Sequence, residues 1–260
     1  IIPARIGVFP SLTSLIIWAE KGDSSSTLPS ELGLLSKLEL LSLGSSGFIG
    51  DIPADIANLS SLRKLDVTGS FEGTIDESIF SIPSLDTMYL NLGLGLGIKG
   101  NISTIFESKM NWKSIRIEGT RIQGTISTSI GNMKSLQHFQ IATSDISGSI
   151  PTEIGLCTQL SQLQIRFNPR FGGTIPFEIG NLARLEELHL YDCNFIGTIP
   201  TSVWGIPGLR YATFKGHGYQ NRLSGSIPSE SCTTSLIKLS VSVFSSLCKS
   251  CEFLECCQCS

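Results

Sequence analysis

An internal repeat of about 24 residues constrains this chain more than any other feature. The phrase Gly173-Thr174-Ile175-Pro176 recurs as Gly197-Thr198-Ile199-Pro200, and Leu185, Leu188 and Leu190 stand between the two copies in an L-x-x-L-x-L pattern. Alternating apolar positions turn the side chains of a short strand toward one face. One such strand cannot bury that face alone, whereas stacked copies can. The period therefore predicts an elongated solenoid with a parallel sheet.

The strand pattern begins ten times, at intervals of 23 to 27 residues. Its first apolar residues are Leu12, Leu38, Leu62, Leu85, Trp112, Leu136, Leu160, Leu185, Leu209 and Leu236. Each inward side chain stabilises the stack by roughly 1.5–3 kcal/mol once a neighbouring repeat covers it. This period and leucine spacing are typical of leucine-rich repeats. We therefore predict an α/β solenoid, a leucine-rich-repeat superhelix with a concave parallel β-sheet.

A Gly-x-Ile element, often continued by Pro, follows each strand, and an I-G-N-L phrase follows that element. Examples are Gly148-Ser149-Ile150-Pro151 and Ile179-Gly180-Asn181-Leu182. From Ile2 to about Val241 the chain resembles the plant-type leucine-rich repeats of receptor-kinase ectodomains and polygalacturonase-inhibiting proteins. The resemblance implies a second, short β-sheet beside the concave one, with 3₁₀ or short helices on the convex side.

The chain departs from that family at one repeat position. The family usually has an Asn eight residues after the first strand leucine, where its amide satisfies backbone groups in the turn. Here the corresponding residues are Ser46, Ser70, Thr120, Ser144, Asn168, Cys193 and His217. Ser, Thr and Cys each donate one hydrogen bond, so we expect a partial ladder and a lower stability per repeat.

The ends of the chain differ from its middle. Ile2-Pro3 followed by Ile6-Gly7 matches Ile175-Pro176 followed by Ile179-Gly180, so the chain starts within a repeat and is interpreted as a fragment or a processed product. We predict a solenoid of about ten repeats over residues 1–241 and a cysteine-rich C-terminal cap over residues 242–260. The tail LCKSCEFLECCQCS resembles the cysteine-dense tails of leucine-rich-repeat proteins from diatoms and related algae.

Eight cysteines are unevenly distributed. Cys157 and Cys193 lie in the repeats and are predicted to be buried free thiols. Six crowd the last 29 residues and are predicted to form disulfides in an oxidising compartment: Cys232, Cys248, Cys251, Cys256, Cys257 and Cys259. Six cysteines allow 15 pairings, among which the sequence does not choose. Some of their spacings also suit a zinc site.

Composition and motifs restrict the function classes. A net charge of −3 gives no electrostatic reason to bind nucleic acid, and no run of 18 apolar residues is present. His138 and His189 lie two repeats apart, about 10 Å, and neither neighbours an obvious nucleophile. The motifs of serine hydrolases, zinc proteases and phosphate-binding loops are missing from the sequence. We therefore predict no enzyme and no cofactor.

The outward positions of the strands are the candidate binding surface, with a solvated face that has no partner as the alternative. Aromatic, Arg and His side chains of the kind enriched in interfaces occur there. The candidates are Tyr89, Arg116, Glu118, His138, Gln140, Arg166, His189, Tyr191, Tyr211 and Lys215. Two N-x-S/T sequons add Asn58 and Asn101 as glycosylation sites, with Asn101 expected to be the more exposed.

These features predict an extracellular or lumenal recognition module that binds a protein, peptide or glycan on its concave face. The alternative is a structural subunit that docks in a larger complex through its uncapped N-terminal repeat. A third hypothesis is ice binding, because the middle residue of the Gly-x-Ile elements is often Thr or Ser, as at Thr125, Ser149, Thr174 and Thr198.

Overall fold

The structure is a computed structural model. It describes residues 2–19, 27–45, 50–69, 71, 73–92, 98–108, 111–215, 221–225, 238–240 and 257–258, the last two ranges as backbone only. The described chain forms two compact units, Ile1–Gly124 and Thr125–Ser260. The predicted cap at residues 242–260 and its cysteines lie outside the described residues, apart from the backbone of Cys257–Gln258, so the cap stays a prediction.

The first unit contains two parallel sheets. The long sheet has the order β1-β2-β3-β5-β7 and the short sheet the order β4-β6-β8. The strands are β1 (Ser14–Ala19), β2 (Leu40–Ser45), β3 (Lys64–Gly69), β4 (Gly73–Thr74), β5 (Thr87–Asn91), β6 (Ile98–Asn101), β7 (Ser114–Glu118) and β8 (Arg121–Thr125), which ends at the first residue of the second unit. The helices are the 3₁₀ segments Ala4–Val8, Ser30–Leu34, Ala54–Asn58 and Glu77–Ser81 and the α-helix α1 (Ser103–Ser108).

The second unit repeats this plan. Its long sheet has the order β9-β11-β13-β15-β17-β18 and its short sheet the order β10-β12-β14-β16. The strands are β9 (His138–Ala142), β10 (Asp145–Ser149), β11 (Gln162–Arg166), β12 (Phe171–Thr174), β13 (Glu187–Tyr191), β14 (Asn194–Thr198), β15 (Tyr211–Thr213), β16 (Arg222–Ser224), β17 (Lys238–Ser240) and β18 (Cys257–Gln258). The helices are the 3₁₀ segments Thr128–Asn132, Thr152–Leu156 and Phe177–Asn181 and the α-helix α2 (Thr201–Trp204).

The core consists of the inward columns that the leucine pattern predicts. Inward residues at corresponding strand positions are fully buried, as at Leu41, Leu65, Met88 and Ile115 in the first unit. In the second unit the same is true of Phe139, Leu163 and Leu188. The registers pair these positions directly with one another. The long sheets, the short sheets and the 3₁₀ helices confirm the predicted repeat architecture.

Close packing of successive 3₁₀ helices explains the glycine at the second position of the I-G-N-L phrase. A Cβ built on Gly155 would overlap the backbone carbonyl of Glu178, which lies in the 3₁₀ helix of the following repeat. The same overlap would occur between Gly33 and the carbonyl of Asp55. Successive 3₁₀ helices therefore approach closely enough that a side chain at this position would force the repeats apart.

A hydrogen-bond ladder runs through the turns of the second unit. The Asn168 side-chain amide donates to the carbonyls of Ile141 (3.1 Å) and Arg166 (2.8 Å). Its Oδ1 accepts from both the backbone N–H and the hydroxyl of Ser144, at 3.0 and 2.8 Å. Asn168 is fully buried, so these bonds satisfy polar groups that water does not reach.

Cys193 and Asn221 continue the ladder, and Asn221 corrects the sequence-based assignment of His217 to this position. Cys193 Sγ lies 3.7 Å from the Ile165 carbonyl, and Asn221 Nδ2 donates to the Leu190 carbonyl at 2.7 Å. The position was miscounted because the insertion after Lys215 moves the ladder residue along the chain. His217 lies outside the described residues, as do Ser46 and Ser70.

Replacing Asn168 by Ala should lower the free energy of unfolding by about 2–4 kcal/mol, because it leaves buried carbonyls and the Ser144 N–H without partners. Cys193→Ala is the matched control at the next rung, and it should cost only about 1 kcal/mol because it removes one weak S–H donor. Urea unfolding midpoints at constant m-value measure both changes. Equal losses for the two variants would contradict the ladder.

Candidate ligand-binding face

The outward face of the first unit's long sheet carries three of the predicted contact residues. The register aligns Asp66, Tyr89 and Arg116 in one row across β3, β5 and β7. Glu118 lies in the next row, beside Asn91. The Asn91 side-chain amide donates to the Tyr89 hydroxyl at 2.9 Å, which orients the phenol along its own strand.

The second unit brings the other seven candidates to its own long-sheet face. Two rows of polar side chains cross the face, and a third follows at the carboxyl ends of the strands. The first row is His138, Gln162, Glu187 and Tyr211, the second is Gln140, Gln164, His189 and Thr213, and the third contains Arg166 and Tyr191. Lys215 follows β15 and is half-buried. The face is therefore rich in amides and aromatic rings, with charged groups among them.

Glu187 is the centre of the hydrogen-bond network on this face. Its Oε1 accepts from the Gln162 amide at 2.9 Å, and its Oε2 accepts from the Gln164 amide at 3.1 Å. Sequence reasoning missed this residue. The signal that was available is an acidic residue at an outward position, in register with Gln162 and diagonal to Gln164 on the neighbouring strand.

His189 joins this network from the same strand. Its Nδ1 lies in hydrogen-bond contact with Thr213 Oγ1 at 3.0 Å, and its Nε2 lies 3.6 Å from Glu187 Oε2. Burial lowers the pKa of His189 below its usual value, and Arg166 adds to this effect. The carboxylate of Glu187 opposes the lowering without cancelling it. The imidazole is therefore neutral at pH 7.

An aromatic cluster adjoins the network at the carboxyl ends of the strands. Phe167 packs edge-to-face on Tyr191, with ring centroids 5.3 Å apart, and Tyr191 packs edge-to-face on His189 at 6.4 Å. The Arg166 guanidinium lies over the Phe167 ring at 5.8 Å, within the range of a cation–π contact. The sequence did not identify Phe167, because it follows the strand and breaks the alternation.

The backbone at Phe167 is strained. Its φ is +54°, and Thr143 (+49°) and Asp192 (+51°) adopt the same left-handed conformation after the neighbouring strands. Gly119, at the same place in the first unit, adopts it without a Cβ penalty. A bulky residue in this region costs on the order of 1–2 kcal/mol, and Phe167 nevertheless remains 39% exposed.

Comparisons with known proteins agree with this architecture. The family model for "Leucine Rich Repeat" matches residues 184–206. The structure of a plant peptide hormone receptor, RGFR1 in complex with RGF2, superposes with a TM-score of 0.69 at 32% identity, covering 90% of this chain and 40% of that one. The protein is built of leucine-rich repeats.

Further comparisons match different shares of this chain and of the related proteins. Receptor-like protein 41 of Arabidopsis thaliana is 34% identical over 102 residues, 38% of this chain and 11% of the relative. The leucine-rich-repeat chain thus spans about a tenth of that relative. A TDR receptor structure has a TM-score of 0.77 at 23% identity, covering 91% of this chain and 40% of that one. The structure of a plant ice-binding protein has a TM-score of 0.67 at 17% identity, covering 92% of this chain and 76% of that one. These two show the fold alone.

Both cysteines inside the leucine-rich repeats are buried free thiols, which confirms the prediction. Cys157 Sγ donates to the Ile130 carbonyl at 3.2 Å. Burial raises the pKa of Cys157 to about 11 and that of Cys193 to about 12. Of the six tail cysteines only the backbone of Cys257 is described, so their pairing stays a prediction.

The two glycosylation sequons lie on different surfaces, and the expected order of exposure is wrong. Asn58 is exposed at the end of a 3₁₀ helix, whereas Asn101 is half-buried in β6. Asn101 Oδ1 accepts a hydrogen bond from the Ser103 N–H at 3.0 Å, which draws its side chain into the turn. Glycosylation at either Asn stays a prediction.

No helix in the described ranges is long and apolar enough to cross a membrane.

Iodoacetamide at pH 7.5 should leave Cys157 and Cys193 unmodified in the folded protein, because almost no thiolate exists at their raised pKa values and both are buried. Both should be alkylated once the chain is unfolded in guanidinium. Peptide mass mapping of the two samples measures the difference. Labelling of either residue within minutes in the folded protein would contradict the assignment.

Lowering the pH through the normal titration range of histidine should destabilise the protein through His189. Its folded pKa is lowered, so the unfolded chain binds the proton more readily. The contribution of His189 is therefore complete above its unfolded pKa of about 6.5 and is lost as the pH falls toward its folded pKa. Urea unfolding between pH 7.5 and 5 should show a steeper decline for the wild type than for His189→Asn. Parallel declines would exclude this role.

Proposed function

We propose that this protein is a recognition module that binds a peptide or protein ligand through the outward face of its long sheet, in the extracellular space or the secretory-pathway lumen. The observation that carries the proposal is Phe167. A ring held in a strained conformation, half-exposed and beside Tyr191, contributes little to the core. Strain of this kind persists at sites where function requires the geometry.

The chemistry of the surrounding face suits a polypeptide ligand. Gln162 and Gln164, both on β11, each donate to one oxygen of the Glu187 carboxylate, so the polar rows are ordered before a ligand arrives. An ordered surface loses less side-chain entropy on binding. Phe167 and Tyr191 supply the rigid aromatic area that dominates binding energies, and the amides supply directional hydrogen bonds.

The comparison with RGFR1 supports the peptide class of ligand. That receptor is in complex with RGF2, and it shares 32% identity with this chain over 90% of the chain. Recognition of a peptide therefore accords with the fold and with the sequence of a related repeat array. The same proposal includes ligand contacts at Tyr89, Arg116, Glu118, His138, Gln140, Tyr211 and Lys215. It also includes a glycan as an alternative ligand, the domain bounds 1–241 and 242–260, and a non-enzymatic role.

Phe167→Gly and Thr143→Gly test the proposal as a matched pair. Both substitutions remove the cost of a left-handed backbone conformation at the same repeat position, but only Phe167→Gly also removes an aromatic ring. Peptides selected from a displayed random library against the immobilised wild-type protein serve as probes. Phe167→Gly should weaken their binding by about tenfold or more, and Thr143→Gly should stay within about twofold. Selected peptides that bind both variants alike, or selection that enriches no peptide, would contradict the proposal.

A structural subunit that docks through its first repeat is the second candidate, and the burial of β1 favours it. The inward residues Leu15 and Ile17 are only half-buried, whereas their partners Leu41 and Leu43 are completely buried. Another protein that covers β1 would complete their burial. Light scattering with size-exclusion chromatography distinguishes the candidates, because a stable monomer at micromolar concentration favours the free recognition module.

Ice binding receives less support from the geometry of the short sheet. The hydroxyl-bearing residues Ser149, Thr174 and Thr198 are exposed. The register, however, places Ile196 beside Thr174 and Gly172 beside Ser149, so adjacent strands do not align their hydroxyls in one row. Thermal hysteresis measurements test this function directly.

A further inference from the structure

An open groove crosses three consecutive repeats of the second unit, with a cavity volume of about 780 Å³. It lies where each repeat passes from its short-sheet strand to its helix, and every residue that lines it belongs to this unit. Ile126, Ile150 and Ile175 form its floor and are buried. Ligand pockets have volumes of roughly 300–1,000 Å³. The groove is therefore large enough to hold a long side chain and part of the segment that carries it.

One side of the groove carries hydroxyl groups. Thr125, Ser149 and Thr174 directly precede the three floor isoleucines, and all three are exposed. The backbone of the short-sheet strands is paired in register at these repeats, so a ligand meets side chains here and not a free strand edge. A hydroxyl both donates and accepts hydrogen bonds. This side can therefore pair with the N–H and C=O groups of an extended segment.

The other side of the groove carries an aromatic ring that the fold does not explain. Phe177 is the first residue of its 3₁₀ helix, and it is 62% exposed. The same position in the two preceding repeats is occupied by Thr128 and Thr152. Thr satisfies the local structure at lower cost, because it leaves no large apolar surface in water. The ring is therefore available to a ligand and is not needed to start the helix.

Two carboxylates give the groove its charge. A Cβ built on Gly131 would lie 2.8 Å from Glu153 Cβ. One built on Gly155 would lie 2.8 Å from Glu178 Cβ, so the two glutamates occupy equivalent positions in consecutive helices. Adjacent repeats are about 4.8 Å apart, which is roughly the separation at which the two side chains begin. Both residues are only half-buried and line the open groove, so a group from solvent reaches them.

No cation of the described chain neutralises this pair of carboxylates. The residues that line the groove include no Lys, Arg or His. Glu153 Oε2 accepts a hydrogen bond from the Thr152 hydroxyl at 3.1 Å. The Glu178 carboxylate has neither a hydrogen bond nor an ion pair with any residue that the structure describes. A cleft with one sign of charge over apolar walls concentrates its field and attracts the opposite charge. The groove is therefore complementary to a cationic ligand.

We propose that this groove docks an arginine-bearing segment of a partner polypeptide. The guanidinium group stacks on the Phe177 ring and donates to Glu153 and Glu178, while the hydroxyl side pairs with the backbone of the segment. Arginine suits this arrangement better than lysine, because its planar fork pairs with carboxylates and stacks on aromatic faces. The groove shares no residue with the face around Phe167, so the two binding proposals stand or fall separately.

The test titrates the isotope-labelled protein with the acetylated and amidated pentapeptide GRGRG and follows the backbone amide resonances of Phe177 and Glu178 by NMR. The neutral control is the same peptide with citrulline in place of each arginine, and GKGKG is the control of equal charge. GRGRG should shift both resonances in a saturable manner, and the citrulline peptide should not. GKGKG should bind at least about threefold more weakly.

Variants with matched controls assign the contacts. Replacing both Glu153 and Glu178 by Gln should raise the Kd for GRGRG by about tenfold, and Phe177→Ala should raise it by about threefold or more. Glu186→Gln removes an exposed carboxylate of the same unit that lies outside the groove. Leu156→Ala removes an exposed apolar side chain at the end of a 3₁₀ helix, also outside the groove. Both controls should leave the Kd within about twofold.

Several results would overturn the proposal. These are resonances that do not move up to about 10 mM GRGRG, a citrulline or lysine peptide that binds as well as GRGRG, and an unchanged Kd for the double carboxylate variant. Cellohexaose that moves the resonances when GRGRG does not would assign the groove to a neutral saccharide and would also overturn it. A fall in Tm of about 4 °C or more for Phe177→Ala would show that the ring supports the fold and would contradict its role in docking.

Discussion

Burial of one repeat by the next is the interaction on which the rest of this structure depends. Leu163 lies between Phe139 and Leu188 in register, and all three are completely buried. No strand could bury its inward side chains within its own repeat. The requirement for contact on both sides fixes the period, the strand register and the glycine at which successive 3₁₀ helices meet, since Gly155 faces the backbone of Glu178.

This constraint also restricts where function can be carried. The inward positions are committed to packing, and the turns are committed to satisfying backbone groups, as Asn168 does through its bonds to Ile141 and Arg166. Outward side chains are free of both demands. The surface around Phe167 therefore lies on a face that the stack does not need for its own stability.

Sequence periodicity predicted the long sheets and the buried thiols, because both follow from spacing within a single repeat. The resemblance to plant-type repeats implied the short sheets and the 3₁₀ helices. It did not predict features that depend on three-dimensional registration. The insertion after Lys215 hid Asn221, since counting from the strand leucine led to His217 instead. Glu187 became recognisable only when Gln162 and Gln164 were seen to bond the same carboxylate. Asn101 was misjudged because its amide oxygen is engaged within the turn.

The residues that violate local rules are more informative than those that follow them. Phe167 occupies a left-handed conformation that Gly119 adopts without strain, and Asp66 buries an oxygen that no described donor reaches. Each lowers stability in a fold whose other positions satisfy packing and hydrogen bonding together. Selection for stability alone would remove such residues, since Gly and Asn would fit the two positions at lower cost. The exposed ring of Phe167 argues that this residue is completed by a group from outside the chain.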